Sequence, residues 1–317
     1  MKIPIDKQKR WARRRERVLK TVAVLPSLAT LGNLVCGLGA IYMCMLSMAA
    51  QRSDLPASLG SSKIEHIFPT FLAIAAYLIV GAMAFDGIDG RLARFARKTS
   101  EFGAQLDSMA DIVSFGVAPA VLVLCVVHPE NVKGLEVLAR VYWRAEWVMA
   151  AVYVCCAALR LARFNVENVA DESAHMGFRG LPTPGAACAV VGMVIFHQEM
   201  LRDLGPVWAA NLVTYSLPPF AAILGLLMVS RIPYPHMINT ILRGKRSFRQ
   251  VVAISILLLV ALIQFQLAIA FAAAGYALSG PLARLIARTR HPHKPSGRGE
   301  ELRLSDPRFE DPMRPAV

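Results

Sequence analysis

Along the chain, apolar stretches of roughly 20 residues alternate with shorter polar segments that are mostly basic. A helix rising about 1.5 Å per residue needs a stretch of that length to cross the hydrocarbon core of a bilayer. Such windows fall near 28–50, 68–86, 105–127, 145–164, 182–198 and 207–230. A last apolar stretch, 250–288, is too long for one helix and reads as two short ones turning near Gln264 to Gln266. The pattern predicts an all-α fold, a polytopic membrane helical bundle of about eight transmembrane helices, with six as the fallback count.

Composition agrees: of 317 residues, 55% are hydrophobic and 18% charged, too apolar for a soluble domain with six such runs. Charge changes the picture by giving the bundle a direction. The net charge of +13 gathers in the first twenty residues, at Arg91 to Lys98, at Arg160 and Arg163, at Arg243 to Arg249, and at Arg284 to Arg290. With the N-terminus inside, the positive-inside rule puts all of these on the cytoplasmic side, provided that an eighth span returns RLIARTRHPHK to that face. Clusters on one membrane face suit anionic membrane lipids and exclude a nucleic-acid partner. The expected location is the cell's inner membrane, as a multi-pass protein. Residues 1–22 form a basic segment, either an amphipathic helix on the inner leaflet with Trp11 at the headgroups or a solvated tail. Residues 23–288 form the membrane domain, and residues 289–317, rich in Pro, Arg, Asp and Glu, read as a disordered cytoplasmic tail. The six cysteines lie inside apolar runs without metal-ligand spacing and read as small buried residues.

The candidate chemistry lies in FDGIDGRLARFARKTSEFGAQLDSMAD, Phe85 to Asp111. Asp86 and Asp89 end the second apolar window, and Asp107 and Asp111 begin the third. On helices, residues three and four apart share a face, so each pair presents two carboxylates offset by roughly 5 to 6 Å. Two facing helices therefore converge four carboxylates at the inner membrane boundary. Unpaired, each costs about 2.5 to 3.5 kcal/mol at a membrane-helix centre, and mutual repulsion adds to that. Hard divalent cations with oxygen ligands, Mg²⁺ or Mn²⁺, would relieve that cost. Two ions about 3.5 to 4 Å apart are the arrangement that clamps the oxygens of a phosphoryl transfer. Gly90, Ala93 and Gly103 leave room beside the carboxylates, and Arg94 is placed to bind phosphate. A calcium loop is excluded because the spacing does not match and its twelfth position is Arg97. Ion pairing to Arg91, Arg94 and Arg97, or the ion pathway of a cation-coupled transporter, are the competing readings of the charges alone.

The full pattern, Asp86-x2-Asp89-Gly90-x2-Ala93-Arg94-x8-Gly103-x3-Asp107-x3-Asp111, resembles without departure the motif of the class I CDP-alcohol phosphotransferase family. Eight fixed residues over 26 positions make that resemblance specific. It implies a helical membrane enzyme that moves a substituted phosphate from a CDP-linked donor to an alcohol. Carried onto this chain, it makes Asp86, Asp89 and Asp107 ligands of one ion and Asp86, Asp107 and Asp111 ligands of a second. Asp111 becomes the general base, Gly90 and Arg94 contact the CDP, and Ala93 and Gly103 give it room.

Three further segments resemble the phosphatidylserine synthase branch of that family: LPSLATLGNLVCGLGAIY at Leu25 to Tyr42, LRLARFN at Leu159 to Asn165, and FRGLPTPGAA at Phe178 to Ala187. SRIPYP at Ser230 to Pro235 belongs with them. The resemblance implies CDP-diacylglycerol as donor, L-serine as acceptor, and phosphatidylserine and CMP as products. Another acceptor, such as glycerol 3-phosphate or an inositol derivative, is the alternative within the family. Serine is a zwitterion and needs a cation for its carboxylate. Arg160 and Arg163, with Asn165 just beyond, serve that carboxylate or the lipid phosphate, or else anchor the helix as positive-inside charges. Thr183, in GLPTP, faces an anion from a helix start or simply begins the helix. Thr30 and Asn33 reach the nucleotide or bond between helices. Glu167, Asp171 and Glu172 are unranked candidates for the ammonium, and His175 reads as a solvated loop residue. A homodimer is compatible with a membrane enzyme of this size, although no residue marks an interface.

Overall fold

The computed structural model describes residues 5–52, 70–96, 101–127, 136–170, 180–201, 205–232, 274–282 and 284. Side chains are described within 27–51, 70–91, 102–127, 140–166, 180–199, 205–232 and 274–282, and at 201 and 284. The chain divides into two units, Met1–Gly280 and Pro281–Val317, and the site lies wholly in the first.

Every regular element is helical among the described residues. α1 spans Ile5–Arg52, α2 Phe71–Ala96, α3 Glu101–Asp111, α4 Ala118–Val126, α5 Glu136–Ala170, α6 Thr183–Phe196 and α7 Val207–Val229. Among the described residues, two π-helical turns interrupt the sequence of α-helices: Ile112–Val117 joins α3 to α4, and His197–Leu201 extends α6. Among the described residues, five segments are long and apolar enough to cross a membrane: Ser27–Gln51, Phe71–Arg91, Phe102–Val126, Arg140–Val166 and Val207–Val229. They match five of the six shorter windows read from the sequence, so the protein is a membrane protein, and its regular structure is helical throughout the described residues. The sixth window, 182–198, is helical too, but α6 itself has only 14 residues before the π turn.

Several expectations lie outside the described residues. These are the short paired spans in 250–288 apart from the helical residues 274–280, most of the basic loops, and the tail 289–317. The side chains of residues 1–22 and of Ala93, Arg94, Glu167, Asp171, Glu172 and His175 also lie outside them. The backbone of the basic segment continues into the first span as part of α1.

Lipid cannot satisfy backbone polar groups, so spanning segments close their own hydrogen bonds as helices. Helices in lipid gain little from hydrophobic burial against each other and associate through close packing of small residues. The core follows that rule. Ala40, Ala75, Ala76, Ala82, Ala118, Ala157, Ala186 and Ala187 are buried around Phe115, Tyr153, Leu122 and Leu224. α1 packs along α2, α5 along α7, and α6 is held between α2 and α7. Leu28, Val35, Leu38, Trp147, Leu159, Trp208 and Leu226 point outward, as lipid-facing residues do. At Gly37, α1 meets the first π turn, and an added Cβ would stand 2.8 Å from Ser114 Cα. At Gly225, α7 meets α5, with an added Cβ 3.0 Å from Tyr153 Cα.

The alternation of directions gives the bundle two distinct ends. One gathers the start of the first span, the end of α2, the start of α3, the end of α5 and the start of α6. The other gathers the end of α1, the starts of α2 and α7, the end of α4 and the π turn after α6.

Candidate functional site

The first end holds the aspartates. Asp86 and Asp89 lie on the last turns of α2, while Asp107 and Asp111 are one turn apart on α3. Ligand atoms of Asp86, Asp107 and Asp111 all lie within 4.8 Å of one another. Three carboxylate oxygens at that separation can bind one hard cation, since Mg²⁺ takes oxygen ligands at about 2.0 to 2.1 Å and Ca²⁺ at about 2.3 to 2.6 Å. No nitrogen or sulfur ligand stands in this group, which suits Mg²⁺ or Mn²⁺ better than softer metals. The residues present therefore fit a divalent ion.

α1 supplies the outer support. The Thr30 hydroxyl donates to Asp89 Oδ2, and Asn33 Nδ2 donates to Asp111 Oδ1 at 3.0 Å. Both α1 residues are buried, and they sit one turn apart because residues three apart share a helix face. Of the two sequence readings for them, the interhelical bond is present. Asn33 Oδ1 is buried with no hydrogen-bond partner, so the amide keeps an acceptor to spare. The Asn33 carbonyl accepts from Ser114 Oγ at 3.0 Å, and Gly37 leaves the space for that approach. Immediately after Asp111 the chain widens into the π turn. A widened turn displaces carbonyls from the regular ladder, and Tyr153 on α5 donates to the Phe115 carbonyl there at 2.9 Å.

Gly90 is exposed, and a Cβ added to it would meet nothing within 4 Å. Packing does not demand glycine at that position, unlike at Gly37. Gly103 is half-buried on α3, and Ala93 and Arg94 lie on the last turn of α2.

α5 and α6 bring the acceptor candidates beside this cluster. Arg160 Nη1 donates to Thr183 Oγ1 at 2.7 Å, its Nε is buried without a partner, and its charge acts on Asp111. Asn165 Nδ2 donates to Ser108 Oγ at 2.9 Å, and that hydroxyl in turn donates to the Ala104 carbonyl at 3.0 Å. Asn165 thus braces the turn that carries Asp107. Arg163 is half-buried on the same helix as Arg160.

In GLPTP, the two N–H groups ahead of the helix are used within the fold. Gly180 N–H donates to the Ile232 carbonyl at 2.8 Å and Leu181 N–H to the Leu227 carbonyl at 3.1 Å. These groups cap the end of α7 and join GLPTP to SRIPYP, leaving Thr183 as the polar group of the segment turned to Arg160. Gly180 has φ 88°, and a Cβ there would strike the Met228 carbonyl, so only glycine fits.

Three contributors were missed in the sequence. Ser108 and Ser114 are small polar residues in an apolar run and carry no signal of their own. Tyr276 comes from beyond the sixth span, where its ring lies 3.3 Å from a Cβ added at Gly185 and its hydroxyl interacts electrostatically with Arg160. Its signal would have been a lone phenol in a long apolar stretch.

Fold and site together define a helical membrane protein with a carboxylate centre suited to divalent cations at one end of its bundle. The chain belongs to the CDP-alcohol phosphatidyltransferase family, whose model matches residues 23–230. Among curated relatives, a CDP-diacylglycerol–serine O-phosphatidyltransferase of Helicobacter pylori strain 26695 is 33% identical over 178 residues, 56% of this chain and 67% of that protein. A protein of the same name from Methanocaldococcus jannaschii is 35% identical over 165 residues, 52% of this chain and 65% of that protein. The Saccharomyces cerevisiae protein of that name is 36% identical over 159 residues, 44% of this chain and 53% of its own length.

Proposed function

We propose that this enzyme transfers the phosphatidyl group of CDP-diacylglycerol to the hydroxyl of L-serine, forming phosphatidylserine and releasing CMP. The convergence of Asp86, Asp107 and Asp111 carries the reading, within a family match that covers most of the membrane domain. The names of the relatives favour serine over other acceptors.

In this reading Asp86, Asp89 and Asp107 hold one divalent ion, and Asp86, Asp107 and Asp111 a second. When bound, two such ions supply charge stabilisation to the donor's diphosphate and to the leaving CMP. Asn33 holds Asp111 through Oδ1 and leaves Oδ2 to take the proton of the serine hydroxyl. The serine oxygen then bonds to the phosphorus bearing diacylglycerol as the bond from that phosphorus to the CMP oxygen breaks. Thr30 fixes Asp89, and the open face at Gly90 receives the cytidine nucleotide beside Ala93, Arg94 and Gly103. The free acceptor of Asn33 points to a contact with the same nucleotide.

Arg160 supplies the cation for the serine carboxylate. Its Nε is an uncommitted buried donor, and Thr183 and Tyr276 flank it. A bidentate guanidinium suits a carboxylate better than a point charge would. Arg163 and Asn165 complete this side of the site. Basic segments flank the aspartate end in sequence, which supports a cytoplasmic active site in the inner membrane.

The test is CMP release by purified protein with labelled CDP-diacylglycerol, Mg²⁺ or Mn²⁺, and one acceptor at a time. Serine-dependent phosphatidylserine is the expected product. Faster turnover with glycerol 3-phosphate or inositol would replace serine as the acceptor, and ion flux in proteoliposomes without CMP release would remove the transferase reading.

A further inference from the structure

α5 holds the stretch that carries Asp107 and Asp111 at two points. Asn165 Nδ2 donates to Ser108 Oγ at 2.9 Å, and the Tyr153 hydroxyl donates to the Phe115 carbonyl at 2.9 Å. The order reverses along α5, as antiparallel neighbours require. Asp111 lies between the two points of attachment, and Asp107 is the residue before Ser108. Among the described residues, α3 packs closely on α1, while its backbone makes little close contact with α5. On the α5 side, the side-chain bond at Ser108 therefore bridges a gap that backbone packing leaves open.

Ser108 is placed to control how α3 is turned. Its hydroxyl lies 3.0 Å from the Ala104 carbonyl one turn earlier, a back-bond that serine makes in helices without help from outside. Asn165 adds the tie to a second helix. At about 100° per residue, Asp107 and Asp111 share one face of α3, and Ser108 leaves the helix to the side of that face. A tie at that position resists rotation of α3 about its own axis. With side chains reaching about 6 Å from the axis, a rotation of about 10° moves a carboxylate by about 1 Å. Misplacement of that size can cost about 10²-fold in rate.

Two polar residues near the end of α5 are thus used in different ways. Arg160 keeps a buried Nε without a partner and is equipped to take a ligand. Asn165 has both amide atoms against Ser108, with Oδ1 3.1 Å from the hydroxyl oxygen and Nδ2 2.9 Å from it. Its side chain is occupied within the fold.

We propose that Asn165 is a positioning residue. Acting through Ser108, it fixes the rotation of α3, and with it the placement of Asp107 and Asp111 relative to Arg160; it does not itself bind serine or the lipid phosphate. Only the kinetic part of the inference rests on the transferase reading above, because the carboxylates that Asn165 places form a cation site whatever the acceptor is.

Asn165→Ala, Ser108→Ala and the double variant of the full chain are compared in two assays. In the first, Mn²⁺ is titrated by calorimetry with neither donor nor acceptor present. Each single variant is expected to bind Mn²⁺ about tenfold more weakly, and the double variant no more weakly than either, because all three remove the same bond. In the second, serine-dependent CMP release is expected to show kcat lowered about tenfold in all three, with serine and donor KM within about twofold of the unaltered protein. Ser108→Thr keeps the hydroxyl and should restore Mn²⁺ affinity and kcat to within about threefold, which a general loss of packing would not allow. If the unaltered chain makes no phosphatidylserine, the serine reading fails and the Mn²⁺ comparison alone decides the inference. Three results would each overturn it: unchanged Mn²⁺ affinity in both single variants, losses that multiply in the double variant, or a serine or donor KM raised tenfold by Asn165→Ala and unmoved by Ser108→Ala.

Discussion

The two ends of the bundle handle buried polarity in opposite ways. At the aspartate end, Asp89 and Asp111 are each held by one α1 side chain, while Asp86, Asp107 and Asp111 face one another. At the far end, side-chain hydrogen bonds link Thr70, Gln198, His197 and Thr214, and the acid Glu146 has no hydrogen-bond partner. Like charges held together are costly unless a cation joins them, whereas a neutral chain satisfies itself. The first end is therefore incomplete as a protein-only structure and built to receive charge. The second joins three segments through side-chain hydrogen bonds and leaves oxygens of the buried acids Glu146 and Glu199 without a partner.

That contrast can be broken most severely at the ions. Asp86→Asn and Asp107→Asn each remove a carboxylate assigned to both ions and are expected to abolish phosphatidylserine formation and weaken divalent binding together. Equal metal affinity in these variants and the unaltered chain, by calorimetry, would remove the metal-centre reading. Asp111→Asn should lower kcat by about 10² to 10⁴, the usual range for a general base, while CDP-diacylglycerol binding persists. Parallel loss of donor binding would argue against a separate base role.

Supporting groups should have smaller effects. Asn33→Ala leaves the charges in place but frees Asp111 Oδ1, and outer-shell partners of metal sites are typically worth about 10- to 100-fold in affinity or activity. Arg160→Ala should raise the serine KM about tenfold with little change in the donor KM. An unchanged serine dependence would reduce Arg160 to a helix anchor, and the same comparison at Arg163 separates the two arginines.

The mildest test sets the ends directly against each other. Divalent ion at about 100 times its dissociation constant should stabilise the folded chain by about 2.7 kcal/mol, seen as a raised unfolding midpoint. Asp86→Asn should lose that increment and Glu146→Gln should keep it. Loss in both would mean that the ends are coupled.

The architecture was legible in the sequence where the physics is local. Apolar windows of spanning length became the five long helices, and the spacing of Asp86, Asp89, Asp107 and Asp111 put each pair on one helix face. The choice of support was not legible. Thr30 and Asn33 looked equally suited to a nucleotide or to a neighbouring helix, GLPTP read equally as an anion-facing or a plain helix start, and nothing local told that Gly180 and Leu181 N–H groups would meet carbonyls at the end of α7 and just beyond it.

By itself, the sequence determined that helices would form, which faces would be acidic and where glycine would leave room, because helical periodicity and membrane insertion depend on short windows of chain. Only the tertiary structure decided that Thr30 would meet Asp89, Asn33 meet Asp111, Arg160 meet Thr183, and Tyr276 close on Gly185. Those partners are separated by tens of residues, and their meeting depends on how the helices cross and on the π turn after Asp111. Helix crossings are selected by packing among many small side chains at once, and no local pattern specifies them.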